Sequence, residues 1–178
     1  LSFNAAFDRS DLRFGPNPDK IIEKIVKALK IAQIKGWKII LTAHKKVDLK
    51  IETYLKKQNI FFDVKDLTNS NPEEIMKFYA QVDFAFGMRG HAQMIPFGLR
   101  RPILSIISHD KMKFFLEDIK HLDWGVEINS LDLEKNFEKY LKYLEQKPSE
   151  LHRQIEIAQQ KTWEETKSNF IKLKRLIK

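Results

Sequence analysis

The residues best suited to chemistry are Asp83-Phe84-Ala85-Phe86-Gly87-Met88-Arg89-Gly90-His91-Ala92, an apolar strand-like run that ends in two glycines bracketing an arginine, followed by a histidine. Glycines allow a sharp turn and close approach of a ligand to the backbone. The unpaired N–H groups and positive dipole end of a following helix favour an anion there. Arg89 adds a planar fork of donors matched to phosphate or carboxylate, and His91 adds a group able to move a proton near neutral pH. A second set follows the next strand-like run, Ile103 to Ile107: Ser105, Ser108, His109, Asp110 and Lys111. In an open parallel sheet, ligands bind beyond the carboxyl ends of the strands. Both sets are therefore expected at one crevice. The plainer reading is that the glycines make a turn, Arg89 pairs with a surface acid, and Asp110 caps the helix after it.

The elements that would position these residues alternate. Asn17 and Pro18 open a helix carried by Ile21, Ile22, Ile25, Leu29 and Ala32 and stopped by Gly36. Trp37 to Ala43 has the length and apolarity of a buried strand, Asp48 to Gln58 reads as a helix, and Phe61 to Val64 as a strand. Asn71-Pro72-Glu73-Glu74 starts a further helix, Val82 to Phe86 is a strand, and Arg89 to Leu99 is helical. Pro96 inside that helix removes a hydrogen bond and is expected to kink or shorten it. Pro102 to Ile107, Asp110 to Ile119, Trp124 to Ile128 and Leu131 to Gln146 continue the pattern as strand, helix, strand and helix. Such alternation implies an α/β, Rossmann-like three-layer domain over residues 1–148 with a mostly parallel sheet. Residues 149–178 form one long helical pattern, with Leu151, Ile155, Ala158, Trp163, Phe170, Leu173 and Ile177 toward one side. Some 30 helical residues would extend about 45 Å. The far end is expected to pack on something else.

Composition narrows the function classes. The 178 residues, 43% of them hydrophobic, suffice for one core, and there is no cysteine to supply a disulfide or a thiolate. No apolar run approaches the roughly 20 residues of a membrane span. A cytoplasmic location is the expectation. The chain begins at Leu1 within a strand-like run, as a piece of a longer protein would. The net charge of +8 is spread over helix faces and comes with no nucleic-acid-binding motif, so no nucleic-acid partner is expected. The six glycines never form G-x-G-x-x-G, no P-loop lysine motif occurs, and His, Asp and Glu lack zinc-ligand spacing. Neither a nucleotide cofactor nor a metal is expected. Ser108-His109-Asp110 is not a triad, because three consecutive residues do not align nucleophile, base and orienter. His44 leaves a strand toward the ligand edge but reads first as structural, and Arg9 offers a second cation from a surface loop.

Met88-Arg89-Gly90-His91-Ala92 after Asp83 to Gly87, then Gly98, Pro102-Ile103-Leu104-Ser105, and His109-Asp110-Lys111 before Phe115-Leu116, resembles the C-terminal half of the polysaccharide pyruvyltransferase family. The motif match spans about Asp83 to Asp118; elsewhere only the order of elements agrees. The resemblance implies the second domain of a GT-B-like fold and transfer of pyruvate from phosphoenolpyruvate to two hydroxyls of a saccharide or lipid-linked saccharide as a ketal, in surface-polysaccharide synthesis. It further implies that Arg89 and His91 are catalytic and that the donor lies against Gly87, Arg89, Gly90, His91, Ser108, His109, Asp110 and Lys111. The N-terminal domain of a parent protein would then be a partner, with the last helix crossing onto it. Three other readings stand beside it: a nucleotide-sugar glycosyltransferase domain, a non-catalytic interaction domain, and a peripheral place at the inner membrane face through the basic tail.

Overall fold

The computed structural model describes residues 1–8 and 18–176. The expected Asn17 cap and Arg9 cation lie outside the described residues. Six strands form one all-parallel sheet: β1 (Ser2–Asn4), β2 (Ile39–Ala43), β3 (Phe62–Asp66), β4 (Ala85–Gly87), β5 (Ile103–Ile107) and β6 (Gly125–Glu127), in the order β3-β2-β1-β4-β5-β6. Helices fill the connections: α1 (Pro18–Ile34), α2 (Glu52–Lys57), α3 (Pro72–Tyr79), α4 (His91–Gly98), α5 (Asp110–Asp118), α6 (Leu133–Gln146) and α7 (Pro148–Leu176). The chain is thus a Rossmann-like α/β domain with a long C-terminal helix, as its alternating pattern implies.

Right-handed crossovers in such a sheet place α1 and α2 on one face and α4 and α5 on the other. The α6 helix packs on α1, and α3 packs on α4. The core runs through the central strands, where Phe3 lies 5.7 Å from Phe86 and Phe86 lies 4.6 Å from Phe137 of α6, ring centre to ring centre. Every residue of β5 is buried, the pattern expected of a strand covered on both faces.

Several boundaries differ from the sequence reading for local reasons. The strand after Gly36 starts at Ile39, because Gly36 (φ +83°) and Trp37 are still closing the end of α1 through bonds to Gln33 and Ala32. The expected helix from Asp48 opens instead as a 3₁₀ turn, Lys46–Ile51, in which the Asp48 side chain accepts from the Lys45 N–H. Asn71 caps α3 as expected, bonding the Glu74 N–H while Glu74 bonds back to the Asn71 N–H. Pro96 sits inside α4, which is only eight residues long.

Along α7, Leu151, Ile155 and Ala158 bury against the core. Beyond them Trp163, Phe170, Ile171, Leu173 and Leu176 are all exposed, so the expected apolar side packs on this domain only in its first half. Among the described residues no helix is long and apolar enough to cross a membrane.

Candidate functional site at the carboxyl ends of β1 and β4

The chain winds outward from β1 toward β3 and then crosses back to β4, so β1 and β4 are neighbours whose connections leave in opposite directions. Such a reversal opens a crevice at the carboxyl ends of the two strands. The approach there is tight: Met88 N–H donates to the Asn4 carbonyl at 3.2 Å, and a Cβ on Gly87 would stand 2.9 Å from that same oxygen. Gly87 is glycine because β1 leaves no room for a side chain. Gly90 has helical angles (φ −52°, ψ −50°) and no atom within 3.9 Å of an added Cβ, so neither the turn nor the packing demands glycine there.

Arg89 is held rather than free. Its Nε lies 2.8 and 3.0 Å from the two oxygens of Asp48, its Nη2 also bonds Asp48, and Nη2 reaches Asp8 Oδ1 at 2.6 Å. Burial works against the guanidinium's charge, but the bonds to Asp48 and Asp8 outweigh it and its pKa is raised. The Asp48 side chain has no exposed surface. Beyond Arg89 it accepts from the His44 N–H (2.9 Å), the Lys45 N–H (3.1 Å) and Asn4 Nδ2 (3.2 Å). Asn4 Nδ2 also donates to the Thr42 carbonyl, so both its contacts are acceptors and the amide orientation follows. That leaves Asn4 Oδ1 buried with no hydrogen-bond partner among the described residues.

Two histidines flank this core. His91 is the first residue of α4 and is exposed. His44, half-buried at the end of β2, has its ring 6.3 Å from that of His91 and its Nε2 2.8 Å from the Tyr79 hydroxyl. Burial pushes His44 down to about 4; Asp48 pulls the other way, while His91 and Arg89 add to the depression. His44 is therefore neutral near pH 7, with one ring nitrogen committed to Tyr79 and the other edge near the crevice. Burial also raises the pKa of the Tyr79 phenol, against hydrogen bonding with Thr42 and Ser2.

The neighbouring strand end contributes less directly. Ser108 is buried, with its Oγ 3.1 Å from His109 Nδ1 and 3.5 Å from the Met88 carbonyl, which ties the ends of β5 and β4 together. His109 stands half-buried at the N-cap position of α5 without a side-chain capping bond, and Asp110 and Lys111 are exposed in its first turn, where an acid suits the helix dipole. The lysine drawn into the Arg89 cluster is Lys45, not Lys111: its Nζ lies 2.9 Å from Asp8 Oδ2.

The sequence reading brought out Arg89 and His91, treated His44 as structural, and passed over Asp48, Asp8, Lys45 and Tyr79 as site residues. Asp48 carries a signal: an acid three residues after the strand exit at Lys45 is capping-box spacing. Its pairing with Arg89, 41 residues away, has no local signature.

Concave surfaces also lie elsewhere, one of about 730 Å³ lined by Asp19, Lys27, Lys30, Tyr54 and Lys57 between α1 and α2, another of about 400 Å³ by β6 and α6. Neither contains a buried charge pair or a perturbed histidine, so chemistry places the candidate site at the β1/β4 crevice. Among the described residues, no three His, Asp or Glu side chains gather as a metal site would require. In comparisons with known proteins, no family model, no curated protein and no solved structure matches the chain.

Proposed function

We propose that the chain is the donor-binding domain of a pyruvyltransferase-like enzyme, which holds phosphoenolpyruvate at the β1/β4 crevice for transfer of its pyruvyl group to a saccharide. The observation that carries this reading is the grouping at one strand-order reversal of a buried, permanently charged Arg89, an exposed His91 at a helix start and a neutral His44. The transfer needs an anion clamp and proton-handling groups. Protonation of the enol carbon creates an oxocarbenium-like centre; one sugar hydroxyl attacks it, phosphate departs, and a second hydroxyl closes the ketal. Arg89 supplies the fixed positive charge. His91, exposed at the helix start, is the candidate general acid, and neutral His44 is the candidate acceptor of a hydroxyl proton. Lys111 and Asp110 stand at the rim, where they would contact the acceptor or the outer part of the donor. The acceptor side would come from a further domain, which the crevice would face.

The test is an NMR titration of amide resonances with phosphoenolpyruvate and, separately, with UDP- and CMP-sugars. Shifts clustered at residues 87–91 with phosphoenolpyruvate alone are expected. A response confined to the nucleotide-sugars would replace this reading with a glycosyltransferase domain.

A further inference from the structure

Asp8 and Asp48 both pair with Arg89, but they are held differently. Asp48 is enclosed, and two backbone N–H groups and Asn4 fix it independently of Arg89. The Asp8 side chain is 29% exposed, and the hydrogen bonds its carboxylate accepts among the described residues come from two cations. One oxygen, Oδ1, takes Arg89 Nη2 at 2.6 Å; the other, Oδ2, takes Lys45 Nζ at 2.9 Å. A single carboxylate therefore bridges two positive groups through its two oxygens, as a bound carboxylate or phosphate would. Asp48 alone neutralises Arg89. With Asp8 withdrawn, Arg89, Lys45 and Asp48 would sum to one net positive charge on the solvent side of the crevice.

The geometry points to a two-cation subsite, formed by Arg89 Nη2 and Lys45 Nζ, that takes one oxyanionic group of the ligand and that Asp8 occupies when no ligand is bound; it rests on the reading of the crevice as the site of an anionic donor. Exchange of Asp8 for a phosphate or carboxylate keeps both cations paired throughout, so the buried Arg89 guanidinium never loses its outer partner. Asp8 also sets a threshold. Tethered beside the cations, it competes with every ligand, and the apparent affinity falls by the fraction of molecules in which the subsite is open. Lys45 becomes a binding residue that no motif marks, in the role expected of Lys111.

The experiment titrates the wild-type chain, Asp8→Asn, and Asp8→Asn with Lys45→Ala, each with inorganic phosphate, pyruvate and phosphoenolpyruvate, read from the amide resonances of residues 87–91. Asp8→Asn keeps the size of the side chain and removes its charge, and is expected to tighten binding of at least one of the three by about tenfold. Adding Lys45→Ala is expected to abolish that gain. A gain with phosphate identifies the group taken as phosphate, and a gain with pyruvate identifies it as carboxylate. No gain with any of the three, or a gain that survives loss of Lys45, overturns the subsite. Phosphoenolpyruvate bound at 87–91 without a gain in Asp8→Asn would overturn the subsite and leave the donor reading standing; a gain with phosphate while phosphoenolpyruvate fails to bind would do the reverse. A measurement without substitution stands beside these. Burial raises the Asp8 carboxyl, but bonds from Lys45 and Arg89 outweigh it and hold it at about 2. Under saturating phosphate its ¹³C resonance should titrate in the ordinary carboxylate range, and a carboxyl still titrating near 2 would contradict the exchange.

Discussion

Arg89 has two duties that a simple alanine substitution cannot separate, since its guanidinium is both the counter-ion of the enclosed Asp48 and the proposed anion clamp. Removing Arg89 would leave Asp48 enclosed and uncompensated, and removing Asp48 would leave Arg89 only the part-exposed Asp8; breaking such a buried pair costs about 3–5 kcal/mol. Asp48→Asn should accordingly lower stability by about that amount in urea unfolding, and a loss under 1 kcal/mol would show that the pair is not buried in solution. Binding studies are better aimed at Asp8 and Lys45, which can change while the Arg89–Asp48 fork persists. His44 makes a pH prediction. Burial lowers its pKa from 6.5 to about 4 in the fold, so between those values the unfolded chain binds a proton that the folded chain refuses. Stability should be complete above pH 6.5 and fall as the pH drops toward 4, by up to about 3 kcal/mol. The same unfolding series on His44→Asn should lack that portion of the slope; identical slopes would mean that His44 titrates normally.

At the level of elements, the two glycines of the motif separate packing from ligand approach. Gly87→Ala pushes a methyl against the β1 backbone and should cost about 1–3 kcal/mol. Gly90→Ala meets only ordinary van der Waals contacts with Met94 and Met112 in a helical conformation and should stabilise by about 0.4–1 kcal/mol through the unfolded chain, while weakening phosphate binding because the methyl stands beside the α4 N-terminus. Thermal melts check the first two effects and the phosphate titration the third; unchanged phosphate affinity in Gly90→Ala would move the ligand away from α4. The strands and helices themselves were legible because β5 is apolar at every position but Ser105, α1 repeats its isoleucines at helical spacing, and Asn71-Pro72 with Glu74 encodes a capped start. The 3₁₀ turn at Lys46–Ile51 was not, because its form depends on Asp48 turning back to the Lys45 N–H and across to Arg89. The motif around Arg89 and His91 was visible in sequence order. Its partners Asp48, Asp8 and Lys45 come from other strand ends and meet it only when the sheet has formed.

For the whole molecule, the long α7 divides the chain into a part stabilised by its own core and a part that contributes nothing to it. Ile155→Ala should cost about 2–5 kcal/mol, as truncation of a buried aliphatic does. Trp163→Ala and Phe170→Ala, at side chains 55% and 61% exposed, should each change stability by no more than about 0.5 kcal/mol. Equal losses at all three positions in urea unfolding would mean that the distal half of α7 folds back in solution. At the opposite end of the sheet, the reversal between β1 and β4 is the proposed anion site. A crystal structure of the chain grown with phosphoenolpyruvate tests it most directly. Ligand density is expected at the carboxyl ends of β1 and β4, with an oxyanion against Arg89 Nη2 and Lys45 Nζ and the Asp8 carboxylate displaced. Density in the groove between α1 and α2, or an unchanged Asp8 bridge under saturating ligand, would contradict it.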